Sequence, residues 1–228
     1  MFSYDWNFSR LLPYMDAFVD GLGFTVALSL ATIIYATLIG IGWGIALYYS
    51  RNVRLFTTPL LDGLKGLPPL VVILFGYYFL SQDVVGYSVP AFWAFVISLG
   101  LNLAAFIADL TRASISNTPK DMIEMASAFG MDNQSIMRRV IAPIASRELI
   151  TPLSYLYIET IKLTSLASVI AVRETVYVAQ TIITDTSRSL EVWVIVGLVY
   201  LTLIIPATIS TRWLERHLKS GVGLNSVA

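Results

Sequence analysis

Thr118 to Pro143, TPKDMIEMASAFGMDNQSIMRRVIAP, is a long polar interruption in an otherwise apolar chain. Thr118-Pro119 is a helix start signal. Proline suits the first turn, where its missing N–H is not needed, and threonine is suited to cap it. Asp121 and Glu124 follow in the first turns, at the positive end of the helix dipole. Gly130 stands where this helix is expected to stop, since glycine enters left-handed backbone without a side-chain penalty. A second short helix is expected from Asp132, with Arg138 and Arg139 near its end, before Pro143. The stretch therefore reads as helix, glycine turn, helix, hung between two apolar spans.

Hydrophobic residues occupy 56% of the 228 positions and charged residues 13%, against about 45–50% and about 25% in soluble domains. With a mean hydropathy of +0.72, this is the composition of a polytopic membrane protein. Net charge is zero, so no nucleic-acid partner is expected. The absence of cysteine excludes disulfides and thiolate metal sites, and the single histidine, His217, excludes a histidine cluster. The N-terminal stretch carries Asp5, Asp16 and Asp20 and no basic first region, so it does not read as a secretory signal.

The expected fold is all-α, with five transmembrane helices at about 22–50, 67–82, 84–110, 148–172 and 191–212 and a cytoplasmic loop at about 113–147 between spans three and four. Gly40 and Gly44 fit a small-xxx-small pattern, which favours close helix packing, and Gly42 lies between them. Asp109 and Arg112 are spaced for an i,i+3 ion pair at a membrane boundary. A polar loop from about Thr181 to Ser189 is expected before the last span. With the C-terminus inside, Arg51, Arg54, Lys65, Arg112, Lys120, Arg138, Arg139, Arg147, Arg212, Arg216 and Lys219 fall on the cytoplasmic side. Arg10, Arg173 and Arg188 then fall outside, in keeping with the positive-inside rule. The N-terminus is expected outside and the 118–143 stretch in the cytoplasm, with membrane lipid around the spans.

There is no G-x-x-x-x-G-K-[ST] loop, so ATP cannot be held in the P-loop manner. No nucleophile elbow, histidine triad or metal-ligand spacing is present, and no enzyme is expected. Isolated charges in a span cost about 2.5–3.5 kcal/mol each, so they pair or line a polar cavity. Glu159 and Lys162 are three apart, about halfway along span four. They either neutralise each other along a bundle seam or face a translocation path and meet a zwitterionic solute. A helix interrupted at Thr164-Ser165 offers backbone groups to a carboxylate. Asn102, in the middle of span three, is either an interhelical hydrogen bonder or a path residue. Asn102, Glu159, Lys162, Thr164 and Ser165 are thus the substrate-path candidates.

A family resemblance rests on several of these stretches. Glu124-Met125-Ala126, Gly130 and Ile141-Ala142-Pro143 resemble the EAA loop of permease subunits of ATP-binding-cassette (ABC) importers. Lys162 to Ile170, KLTSLASVI, matches the Lys-x-Thr-Ser-Leu-Ala-Ser-Val-Ile signature of polar amino acid permeases at each fixed position, and Glu174 and Gln180 extend it. Lys65 to Leu70 partly resembles their Arg-Gly-Thr-Pro-Leu-Leu motif. Ala104 to Arg112 looks like their Ala-Tyr-x-Ala-Glu-x-x-Arg segment, with Phe106 for Tyr and Asp109 for Glu. Met125 departs from the EAA triplet, and Pro143-Ile144-Ala145 departs from Pro-Gln-Ala.

The resemblance is to the histidine, glutamine, arginine and opine type of permease. It implies a cytoplasmic coupling helix that docks on an ATPase through Glu124, Ala126, Gly130, Met131 and Pro143. It further implies two ATPase subunits carrying ATP and Mg, a second permease subunit, an extracellular solute-binding protein and an amino acid substrate moved by alternating access. No cofactor is implied for this chain. A secondary transporter or channel driven by an ion gradient is the competing reading; it needs acids along the path and no partner-docking loop.

Overall fold

The structure is a computed structural model that describes residues 4–81, 84 and 86–219. A 3-10 turn at Phe8–Tyr14 leads into α1 (Met15–Tyr49), α2 (Arg51–Gly66), α3 (Pro69–Phe79) and α4 (Ala91–Ser116). Then come α5 (Lys120–Ala128), α6 (Asn133–Ile136), a π-helical turn (Met137–Ile141) and α7 (Ala142–Leu163). A 3-10 segment (Thr164–Ile170), α8 (Thr175–Thr186) and α9 (Ser189–Lys219) complete the described chain. The all-helical class expected from composition is the class observed.

Among the described residues, three stretches are long and apolar enough to cross a membrane alone: Phe8–Tyr49, Ala91–Ser116 and Ser189–His217. Five spans are reached if two broken pairs each count as one, Arg51–Gly66 with Pro69–Phe79 and Asn133–Ile170 with Thr175–Thr186. The expected limits move. The first helix begins at Met15, before 22, and the second runs only from Pro69 to Phe79; its expected end at Gln82 lies outside the described residues. The third starts at Ala91, after Pro90, and continues to Ser116, into the stretch expected to be loop. The fourth starts at Ala142, before 148, and the last covers Ser189–Lys219, beyond 191–212 at both ends. The stretch Thr181–Ser189 is not a loop up to Thr186, because α8 runs through it. The hydroxyls of Thr181, Thr184 and Thr186 donate to the carbonyls of Tyr177, Gln180 and Ile182 at 3.2, 3.0 and 2.7 Å, so polar side chains are satisfied within the helix.

The chain forms two compact units. The first comprises Met1–Ile34, Pro68–Gly100 and Ile158–Ala207. Its core gathers Leu11, Phe18, Ala179, Ile182, Val192 and Val196. Buried Thr25 and Thr175 share a hydroxyl–hydroxyl bond of 2.8 Å, and the Thr175 amide donates to Thr25 Oγ1 at 3.2 Å.

The second unit comprises Tyr35–Leu67, Leu101–Tyr157 and Thr208–Ala228. Here α1 packs closely on α4. A Cβ placed on Gly40 would lie 2.6 Å from Ile107 Cβ, and one on Gly44 2.5 Å from Thr111 Cβ, whereas Gly42 faces open space. Close packing is thus carried by the first and last of the three glycines. The helix α2, which the sequence reading left without structure, is amphipathic. Ser50 caps it by accepting from the Val53 amide at 3.3 Å. Leu61 is buried, and Val53 and Leu64 pack with Leu47, Ala105 and Ala108, while Leu55, Phe56 and Leu60 stay exposed.

Candidate functional site

The polar stretch folds within the second unit. Thr118 does not cap it. α5 begins at Lys120, with Pro119 as the last non-helical residue at φ −56° and ψ 126° and no side-chain capping bond. The extended proline moves the helix start one residue on, and Thr118 is left buried with its hydroxyl unpartnered. The far end behaves as expected. Gly130 has φ +77°, its amide donates to the Ser127 carbonyl at 2.9 Å, and the Met131 amide donates to the Ala126 carbonyl at 3.2 Å. This pair of bonds is a Schellman cap.

Asp132 then caps α6, accepting from the Gln134 amide at 3.3 Å. The Ser135 hydroxyl and backbone amides hold its carboxyl below the usual carboxylate range. The second helix does not end before Pro143. Arg138 and Arg139 lie in the π turn, where the Ala142 amide donates to the Met137 carbonyl, and the chain runs on into α7 with Pro143 at its second position. A π turn just ahead of a proline accommodates the missing N–H without breaking the helix.

The stretch has an inner and an outer face. Ile115, Ala126, Ile136, Ile141 and Ala145 form a buried cluster, with Met131 and Ile123 against it. Ala126 and Met131 therefore shape the turn from within. Glu124, Gly130 and Pro143 lie on the surface. Beside them, Met125 is 56% and Phe129 87% exposed, and Met122 is exposed as well. Met122 and Phe129 were not singled out from the sequence, although the spacing 122, 125, 129 marks one side of a helix.

The remaining candidates divide between the units. In the first, Lys162 Nζ lies 2.7 Å from Glu159 Oε2, both side chains partly exposed. Thr164 and Ser165 donate to the carbonyls of Ile161 and Lys162 at 2.7 and 2.8 Å. Just beyond, the 3-10 segment closes on Ala171 at φ 59°, and the chain bends by 50° before α8. The interruption expected at Thr164-Ser165 is present, with its hydroxyls folded back on the helix. Glu174 caps α8: its buried carboxylate accepts from the Val176 and Tyr177 amides at 2.9 and 2.8 Å and from the Tyr200 hydroxyl at 3.3 Å.

Asn102 belongs to the second unit and donates to the Leu64 carbonyl at 2.6 Å, a bond between helices. Asp109 is not paired with Arg112. It bonds Lys65, which also reaches Asp62 at 2.9 Å. The i,i+3 expectation fails because α2 brings the Lys65 ammonium to the same carboxylate. A cleft of about 610 Å³ opens there, with Arg54, Asp62, Asp109 and Arg112 on its walls. It presents charges of both signs.

Apolar spans joined by a structured polar turn define a polytopic membrane protein. The chain belongs to the family described as binding-protein-dependent transport system inner membrane component, whose model matches residues 36–220. It is a transport permease and not an enzyme. It is 30% identical over 220 residues to the glutamine transport system permease protein GlnP of Escherichia coli (strain K12), covering 95% of this chain and 98% of that protein. It is 32% identical over 191 residues to the octopine transport system permease protein OccM of Rhizobium radiobacter, covering 79% and 78%. An amino acid ABC transporter crystallised with histidines shares its fold with a TM-score of 0.85 and 26% identity, over 94% of this chain and all of that one. The MetNI methionine ABC transporter in an inward-facing conformation is alike in fold alone, with a TM-score of 0.73 and 19% identity over 91% of this chain and 98% of that one.

Proposed function

We propose that the chain is the permease subunit of an ATP-driven importer for amino acids or related opines. One observation carries the reading. The polar stretch is a helix–turn–helix with an outward apolar face of Met122, Met125 and Phe129 beside Glu124, supported from within by Ala126 and Met131. Such a face needs a partner, and an ATPase supplies one. Similarity to permeases named for glutamine and octopine supports the cargo class.

In this reading ATP and Mg sit on two ATPase subunits, and this chain holds no cofactor. A second permease subunit, identical or paralogous, completes the membrane part, and an extracellular solute-binding protein delivers the solute. The N-terminus is outside and the C-terminus cytoplasmic. Nucleotide binding closes the ATPase pair, draws the two coupling loops together and opens the outer side of the spans; hydrolysis resets them. This requires the loop to fit the ATPase differently in the two states. Glu124, Gly130 and Pro143 contribute surface, and Ala126 and Met131 hold it in shape. Glu159 and Lys162, with Thr164 and Ser165, face the solute along its path, and Asn102 braces the helix beside the charged cleft.

The competing ion-gradient mechanism is separated by uptake into vesicles holding this chain, its ATPase and external binding protein. Uptake with internal ATP and no ion gradient supports the importer. Uptake that needs a gradient and ignores ATP refutes it.

A further inference from the structure

We propose that Tyr4, Trp6 and Phe8 form an aromatic anchor at the headgroup level of one bilayer leaflet, held in place by a clasp on Glu191. This goes beyond the import reading and rests only on the chain crossing a membrane.

The clasp lies wholly within the first unit. Glu191, in the first turn of α9, is fully buried. One of its carboxylate oxygens accepts from the Tyr4 hydroxyl. The other accepts from the Asn7 amide at 3.0 Å and lies 3.4 Å from Arg188 Nη1. The same Arg188 nitrogen donates to the Asp5 carbonyl at 2.7 Å. Residues 4–7 carry no helix of their own, yet side chains of α9 and its approach satisfy backbone groups at Asp5 and Asn7. Irregular backbone next to lipid needs such partners.

With the polar groups turned inward, the rings face out. Trp6 and Phe8 stack with centroids 5.7 Å apart at 6°, and Tyr4 meets Trp6 edge-on at 5.1 Å. Their exposures are 44, 53 and 44% from Tyr4 to Phe8. The row leads directly into the membrane-crossing stretch Phe8–Tyr49, whose Leu12 and Val19 are exposed. An exposed aromatic row centred on Trp6, at the very end of an apolar span, sits at the depth where tryptophan and tyrosine belts occur. The occupant is therefore the headgroup–acyl boundary of that leaflet.

The test uses the full chain with Trp6 as its only tryptophan, the other four changed to Phe, reconstituted in phosphatidylcholine vesicles. Lipids brominated near the headgroup are expected to quench Trp6 severalfold more than lipids brominated near the bilayer centre, and aqueous iodide little. Glu191→Gln and Tyr4→Phe should each reverse the order, exposing Trp6 to iodide. If the fourfold substitution lowers the yield, the native chain minus Trp6→Phe gives the same difference spectrum. Trp6 quenched by iodide and untouched by either lipid overturns the proposal and makes the row a surface for a soluble partner. Stronger quenching from the bilayer centre overturns it too, as does an order unchanged by both clasp variants.

Discussion

At Gly44 there is no space for a methyl group. A Cβ there would lie 2.5 Å from Thr111 Cβ and 2.6 Å from the Ala108 carbonyl oxygen, so Gly44→Ala must push α1 away from α4. Overpacking of this kind costs about 1–3 kcal/mol. Thermal unfolding in detergent should show the loss for Gly44→Ala and not for Gly42→Ala. Glu159 is a different case. Its pair with Lys162 is partly exposed, and exposed pairs contribute little to stability. Glu159→Gln should leave the amount of folded, assembled protein unchanged while altering transport rate or solute preference. Loss of folded protein instead would make the pair structural. These residues were legible because their signals are local: a glycine spacing, and two opposite charges three apart in an apolar run. Thr118 was misread because its partner-forming role depends on how Pro119 directs the backbone, and Phe129 was missed because exposure is a property of the folded turn.

Among the elements, α2 was the least legible. Its three faces, one buried on α1 and α4, one apolar and exposed, one charged, do not give the simple period of a span. Once it is present, Lys65 links Asp62 and Asp109, and the neighbour Arg112 loses the role its spacing implied. Asp109→Asn should therefore lower thermal stability, by about 1 kcal/mol after allowing for solvent screening, while Arg112→Gln should not. Equal losses would restore the i,i+3 pair. α8 was hidden for a related reason. Threonine-rich sequence reads as loop until the hydroxyls are seen to bond carbonyls within the helix. The glycine turn between α5 and α6 was read correctly, since a left-handed backbone at a helix end leaves few residues to choose from.

At the scale of the whole chain, composition and charge placement carried the class of protein, and the long Lys162–Ile170 signature carried the family resemblance, because both survive without knowledge of contacts. Orientation is tested directly, since the sequence has no cysteine. With the N-terminus outside, Asp185→Cys should react in intact cells with a maleimide that cannot cross the membrane, and Ser127→Cys only after permeabilisation. The reverse pattern would put the 118–143 turn on the wrong side for an ATPase. The central claim is that the 118–143 turn transmits ATP hydrolysis to the spans. Gly130 is the position to probe. A side chain there meets nothing within 4 Å of its Cβ, and left-handed backbone costs an aspartate about 1–2 kcal/mol, so a functional defect in a variant that stays folded points to a partner. The decisive measurement is the ATPase rate of this chain reconstituted with its ATPase, with the solute-binding protein added empty or loaded from a panel of amino acids and opines. Stimulation by a loaded form in the native chain, lost in Gly130→Asp while the chain stays folded, is the predicted result. Failure of the native chain to co-purify with an ATPase, or equal stimulation in Gly130→Asp, would contradict it.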